Sequence, residues 1–389
     1  MKRIAAGAAA LLALGLAGCV GNGRRSRPAS THVGPAPVTL AAHLTGNILV
    51  VEDPWEKGQT YRFIIDTGSS VSLVSPELAK RYRTSEPADE PVRVRSAGGG
   101  YALLDSVTLR RLQLGAARFD YVPVLVYDCT DLSAQFGTRI DGILGFPLFR
   151  SVALTMDYPR ERVILRSRLP EEGVPGTALA ISSDDRTPVI GVGIGGRTVS
   201  ALVDSGSAST LDINPARLDP VFAFGPVGGP VVSTLTGDRP SRIGRLAGDL
   251  TVGPYRVPRP VATLTDQLTS IGGGILGQFT VTFDQRGGRV YFQREGKGPL
   301  ASPAVRGTGI SFRKMPAYWR VVGVVPGSPA ASAGVAPGDL VSKVNGEAIA
   351  SWDPARYDAA IAGQASLEYT FIEGSSESNR TLRVVDIVP

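Results

Sequence analysis

Two short segments of the chain carry residue types suited to acid–base chemistry on water. The first is Phe63-Ile64-Ile65-Asp66-Thr67-Gly68-Ser69-Ser70-Val71, and the second is Ala201-Leu202-Val203-Asp204-Ser205-Gly206-Ser207-Ala208-Ser209. Each is an apolar run, then Asp-Thr/Ser-Gly-Ser, then a short β-prone stretch. Two carboxylates held within hydrogen-bond distance cannot both ionise cheaply, so such a pair shares one proton. The ionised member can take a proton from water while the protonated member donates to a carbonyl oxygen. Gly68 and Gly206 supply the tight turn that brings backbone N–H groups near the carboxylates.

The elements that must position these aspartates are repeated as well. Asp141-Gly142-Ile143-Leu144-Gly145-Phe146 follows the first copy, and Gly273-Gly274-Ile275-Leu276-Gly277-Gln278 follows the second. Ile143 lies 77 residues after Asp66, and Ile275 lies 71 after Asp204. Each is followed by a strand-like run ending in Asp, Val152 to Asp157 and Thr280 to Asp284. Apolar runs bounded by Gly and Ser read as buried strands entering tight turns.

Over about residues 43–300 the sequence resembles the pepsin and retropepsin superfamily of aspartic peptidases. The resemblance implies a mainly β, bilobal pair of β-barrels, with lobes at 43–170 and 171–302. It makes Asp66 and Asp204 the catalytic pair at the bottom of a cleft. Thr67 and Ser205 would lock the two loops across the lobe interface. Ser69 and Ser207 would donate to the outer carboxylate oxygens. A mobile hairpin would cover the cleft, its tip read at Gly98, Gly99, Gly100 and Tyr101, with a matching region at Ser233-Thr234-Leu235-Thr236-Gly237. Two flaps would be retropepsin-like and one pepsin-like. With both halves in one chain, a monomer is expected.

Residues 303–389 resemble a PDZ domain of the bacterial periplasmic type, a small β-barrel with helices. The resemblance rests on Val325-Pro326-Gly327-Ser328-Pro329-Ala330-Ala331-Ser332-Ala333-Gly334, then Pro337-Gly338-Asp339-Leu340-Val341 and Val344-Asn345-Gly346. Pro329 suits a helix start, Gly334 its end, and Asn345-Gly346 a two-residue hairpin turn. PDZ domains bind an extended peptide as an added strand, often by its C-terminal carboxylate. The resemblance places the carboxylate loop at Gly307-Thr308-Gly309-Ile310, and the groove along Ile310 to Arg313 facing a helix near Pro354 to Ala362.

The N-terminus reads as an address. Lys2 and Arg3 precede an uncharged apolar stretch from Ile4 to Gly18, which is too short to span a bilayer comfortably. Leu16-Ala17-Gly18-Cys19 resembles a bacterial lipobox, which implies a signal peptide at 1–18 and acylation of Cys19. Acyl chains anchor at roughly 0.8 kcal/mol per buried methylene. Residues 19–42, rich in Gly, Pro, Ser and Arg, read as a flexible tether. Val20 carries no Asp-type retention signal, so the expected location is the outer membrane, facing the periplasm.

Composition narrows the remaining classes. The 389 residues are 43% hydrophobic and 20% charged, with 47 Gly and 29 Pro, which suits a globular chain of many strands and turns. The net charge of +6 comes from scattered arginines without a basic stripe, so no nucleic-acid partner is expected. The only histidines are His32 and His43, and no Cys/His cluster has metal-ligand spacing, so neither a metal nor another cofactor is expected. Cys129 reads as a small buried group without a disulfide partner. The expected function is an aspartic endopeptidase acting on proteins of the bacterial cell envelope, with peptide recognition by the PDZ domain. A non-catalytic peptide-binding scaffold is the alternative from another class. A PDZ-containing serine peptidase fits less well, because Asp204-Ser205-Gly206 has Val203 before it and Ser207 after it where that chemistry needs glycines.

Overall fold

Strand-forming Val, Ile, Leu and Phe alternate with turn residues along most of the chain, and the fold is mainly β. The computed structural model describes residues 11–12, 27–55, 58–85, 89–96, 100–182, 187–302, 304–315 and 317–389. Cys19 and most of residues 1–18 lie outside the described residues, as do Gly98 and Gly99.

Two similar lobes share one antiparallel sheet. Its strands run in the order Thr177–Ala180, Arg289–Gln293, Thr280–Asp284, Ala153–Asp157, Arg162–Arg166 and Val38–Thr45. The two central strands come from different lobes and pair in register, Thr155 opposite Thr282. Their hydroxyls are 2.9 Å apart and mark the pseudo-twofold axis. Phe146 and Phe283 meet edge-to-face nearby, with centroids 5.5 Å apart. The lobes therefore share a core, in which each fully buried Val, Leu or Phe contributes about 1.5–3 kcal/mol.

Within each lobe the strand that ends at the aspartate lies between two neighbours. In lobe 1, Thr60–Asp66 pairs antiparallel with Ile48–Pro54 and parallel with Gly142–Gly145. In lobe 2, Arg197–Val203 pairs antiparallel with Val189–Ile194 and parallel with Ser270–Ile271. Both sides of the aspartate strand are thus occupied, which fixes the carboxyl's position to the sheet.

Two sequence expectations need correction. The tether ends earlier than residue 42: Ser30–His32 pairs with Ala117–Val126, and Val38–Thr45 belongs to the shared sheet. Val38, Leu40 and Ala42 alternate inward into the core, a period-2 pattern too short to stand out beside its Pro and Gly neighbours. Nor is Ile275-Leu276-Gly277 the counterpart of Ile143-Leu144-Gly145. Residues Gly273–Leu276 form a short helix, and Ser270-Ile271-Gly272 is the true equivalent.

The C-terminal domain is a sheet in the order Ile310–Lys314, Trp319–Val324, Leu340–Val344, Ser366–Glu373 and Ser376–Arg383, with helix Pro354–Gly363 beside it. Its core includes Trp319, Tyr357, Tyr369 and Phe371. It docks on lobe 2 through Val325, Ile387 and Val388 against Ile243 and Val261. Arg245 donates to the backbone oxygens of Val388 and Pro389 at 2.6 and 2.8 Å. Among the described residues, no helix is long and apolar enough to cross a membrane.

Candidate active site

The Asp-Thr-Gly and Asp-Ser-Gly loops meet at the lobe interface. Asp66 and Asp204 are 0% and 4% exposed. The Gly68 N–H donates to Asp66 Oδ1 at 2.9 Å, and the Gly206 N–H donates to Asp204 Oδ1 at 3.0 Å. Each carboxyl also lies flat against the opposite loop. A Cβ on Gly68 would fall 2.5 Å from Asp204 Oδ1, and one on Gly206 would fall 2.5 Å from Asp66 Oδ1. Only glycine allows this approach.

Four hydrogen bonds lock the loops reciprocally. The Thr67 N–H donates to Ser205 Oγ (2.9 Å), and the Ser205 N–H donates to Thr67 Oγ1 (3.0 Å). The Thr67 hydroxyl donates to the Val203 carbonyl (2.6 Å), and the Ser205 hydroxyl donates to the Ile65 carbonyl (2.7 Å). Every one of these groups is buried, so deleting a hydroxyl orphans both a donor and an acceptor. Ser205→Ala is expected to destabilise the chain by about 1–3 kcal/mol in denaturant unfolding, because the Thr67 N–H and Ile65 C=O lose their partner together. An unchanged midpoint would show that the lock carries no stability.

The serines after the glycines behave differently from the expectation. Ser69 Oγ donates to the Val71 carbonyl at 2.6 Å, and Ser207 Oγ donates to Asp212 Oδ2 at 3.1 Å. Neither hydroxyl reaches the dyad. It is the backbone N–H groups of Ser69 and Ser207 that act on the carboxyls of Asp66 and Asp204 and favour their ionised forms. The loop turns so tightly that each serine side chain is carried past the carboxyl, Ser69 to the bend at Val71 and Ser207 to the strand Leu211–Ile213.

Both carboxyls are held above the usual carboxylate range. For Asp66 the main cause is burial, followed by the charge of Asp204. For Asp204 it is burial, followed by the charge of Asp212. Asp212 and Tyr158 escaped the sequence reading. Tyr158 is fully buried, with its phenol pushed up by burial and by both aspartates. Its position just after the shared strand Ala153–Asp157 was the one available signal.

Two flaps are present. Strands Asp89–Arg95 and Tyr101–Leu114 form the first hairpin, and Val232–Thr234 and Gly237–Arg239 the second. They meet tip to tip: a Cβ on Gly100 would lie 2.5 Å from Thr236 Oγ1. Leu235 packs on the apolar cluster of lobe 1. Tyr101 is 51% exposed and lies under the Arg93 guanidinium, 3.8 Å from its centroid, on the outside of the hairpin. The two-flap arrangement is the retropepsin-like one.

The serine-peptidase alternative has no geometry. Ser205 is fully buried with its hydroxyl committed to Ile65, while His43 is exposed and faces Glu52 at 3.8 Å. Cys129 is buried, and burial pushes its thiol up to about 12, so it is no nucleophile.

A model for an aspartyl protease matches residues 55–148, which include Asp66, and a model for a PDZ domain matches residues 320–368. The chain carries an aspartyl protease domain and a PDZ domain. No curated protein matches it. Among solved structures, a crystal structure of the HtrA3 PDZ domain bound to a phage-derived ligand is similar at 24% identity, covering 21% of this chain and 86% of that one, with a TM-score of 0.18. The protease match stops inside lobe 1. Lobe 2 joins it through the shared sheet, the reciprocal lock and the facing carboxyls.

In the PDZ domain, the expected carboxylate loop is held firmly. Thr308 Oγ1 lies 3.2 Å from the Tyr369 hydroxyl, and the Thr308 carbonyl accepts from the Ala330 N–H at 3.0 Å. The Gly309 carbonyl accepts from the Val325 N–H at 2.8 Å. Gly307 and Ile310 are buried beside them. Strand Ile310–Lys314 is an edge of its sheet. It also touches both lobes: Arg313 Nη2 donates to Asp238 Oδ2 of the second flap at 2.8 Å, and helix Thr130–Phe136 of lobe 1 packs against the strand.

Proposed function

We propose that this protein is a lipid-anchored aspartic endopeptidase of the bacterial cell envelope, monomeric, which hydrolyses peptide bonds in proteins with one water molecule activated between Asp66 and Asp204. The observation that carries the reading is the reciprocal arrangement of the two loops. Each carboxyl is fixed by its own glycine N–H and stacked on the other's glycine, and Thr67 and Ser205 cross-lock the pair.

The chemistry follows from one shared proton. The ionised carboxylate takes a proton from water as the water oxygen bonds to the carbonyl carbon. The protonated carboxyl gives its proton to the carbonyl oxygen. Collapse of the resulting diol returns one proton to the dyad and moves another to the amide nitrogen, and the C–N bond breaks. The proton belongs to the pair, so neither aspartate has a permanent role. A binding-only scaffold would have no need of two carboxyls in so costly a place, since burying like charges together is unfavourable.

The PDZ domain recognises the C-terminal carboxylate of a peptide at Gly307-Thr308-Gly309-Ile310, with the peptide added along Ile310–Lys314. Lipidation of Cys19 would anchor the enzyme in the outer membrane, facing the periplasm. Hydrolysis of a diverse peptide pool between about pH 3 and 8 tests the catalytic part. For the PDZ part, an excess of a short peptide with a free C-terminal carboxylate is expected to change turnover of a folded protein substrate, whereas its C-terminal amide leaves turnover as it was. Equal behaviour of the two peptides would remove the recognition role.

A further inference from the structure

We infer that the lobe-2 half of the cleft contains a side-chain subsite with Asp212 at its floor, built to take a substrate residue with a cationic head, lysine or arginine, next to the scissile bond. The inference rests on the peptidase reading above and adds the substrate class to it.

The lobes' own symmetry supplies the argument. The Phe146 N–H donates to the Ser69 carbonyl at 3.0 Å, and the Gly273 N–H donates to the Ser207 carbonyl at 2.7 Å. Gly145 and Gly272 are therefore equivalent, and so are Ile143 and Ser270. Leu73 lies opposite Ile143 in lobe 1, and Asp212 lies opposite Ser270 in lobe 2. Leu73 runs beside Leu125, and Asp212 runs beside Thr263. Where lobe 1 places Leu73, Leu125 and Ile143, lobe 2 places Asp212, Thr263 and Ser270.

The consequences for space are opposite. In lobe 1 these side chains form an apolar cluster, closed by Leu132 and Phe136 at i and i+4 of helix Thr130–Phe136 and by Leu235 of the second flap. In lobe 2 the same place is open, a cavity of about 340 Å³ that reaches Asp204 at one end and Val232 and Thr234 of the flap at the other. Asp212 lines it. The hydroxyls of Ser207, Ser209 and Ser270 all donate to one oxygen, Asp212 Oδ2, at 3.1, 2.6 and 3.0 Å.

Lobe 1 shows that the fold needs no polar group here. A carboxylate beside Asp204 costs desolvation and like-charge repulsion, and burial raises Asp212 in turn. Three hydroxyl donors hold it in a fixed direction and favour its ionised form. A cation entering the cavity would offset both costs and gain a charge-assisted hydrogen bond. Arg239, Arg242 and Asp266 stand at the rim, where Arg239 and Arg242 are exposed to solvent and weakened by screening, so the floor decides the sign of the ligand.

The test compares peptide pairs that differ at a single position near the cleaved bond, Lys or Arg against Leu. The full chain is expected to favour the basic peptide at one position on one side of the bond. Asp212→Asn and Asp212→Leu should each lower the basic-to-leucine ratio of kcat/KM by about 10- to 100-fold, the worth of one charge-assisted hydrogen bond. An unchanged ratio in both variants, or a parent with no basic preference at any position, overturns the subsite. Binding of the same peptides to Asp66→Asn, alone and combined with Asp212→Asn, reads the subsite without turnover. Basic peptides should bind more tightly to the first protein only. If the parent cleaves nothing, the peptidase reading fails, and the binding comparison still decides the subsite by the same criterion.

Discussion

Asp66→Asn and Asp204→Asn are each expected to cut peptide hydrolysis by about 10²–10⁴-fold, the range of one general acid–base group. The losses should not add in the double variant, because the two carboxyls work as one proton-sharing unit. The pH profile carries a second signature. Burial, with the charge of Asp204 on Asp66 and of Asp212 on Asp204, holds both carboxyls above their ordinary value of 3.8, so the single-proton form persists further toward neutral pH than in an unperturbed pair. Activity should fall on the alkaline side as the shared proton leaves.

The same shifts have a sign for stability. A carboxyl whose pKa is raised on folding favours the native state fully below its unfolded value, and that contribution is lost as pH rises through the folded value. At neutral pH the charged dyad therefore weighs against the fold. The asparagine variants should unfold at a higher denaturant midpoint than the parent at pH 7, which separates lost chemistry from lost structure. Retained hydrolysis in either variant would move the active site elsewhere.

Gly206→Ala is the second large effect. The new Cβ would sit 2.5 Å from Asp66 Oδ1, closer than any methyl can approach an oxygen, so the Asp66 carboxyl must turn out of its present position, away from where the proposed water would be activated. Misplacing a reacting group by about 1 Å can cost 10²-fold. We expect at least that loss in kcat, with KM little changed, since the cleft walls are untouched. Gly68→Ala should act in the same way through Asp204. Alanine variants with parental kcat would mean that the two loops open apart before substrate is cut.

Much of the site could be read from residue order alone. Asp-Thr/Ser-Gly is a local motif whose geometry is set by a strand, a tight turn and a glycine, so Asp66, Thr67, Gly68 and their partners at 204–206 stood out together. The two strands ending at Asp157 and Asp284 were legible for the same reason, as uninterrupted apolar runs. The lobe-2 partner strand was not. Ile275-Leu276-Gly277 copied the letters of the lobe-1 motif, but three glycines at 272–274 let the chain turn into a helix, and the ladder beside Val203 was filled by Ser270-Ile271 instead. The hydroxyls of Ser69 and Ser207 were misplaced because their direction depends on the turn's exit.

Residue order alone was enough to pick out the candidate pair, two aspartates each carried by its own strand–turn unit, and the succession of two lobes and a PDZ domain, since each rests on contacts between near neighbours in the chain. What surrounds those aspartates was set by the packing of distant segments. That Asp212 faces the cleft while Leu73 is sealed in a core, that the two flaps meet at Gly100 and Thr236, and that Arg313 grips Asp238 all depend on pairings between segments far apart in sequence. A one-residue shift in such a pairing reverses which side chain points inward, and no local pattern records it.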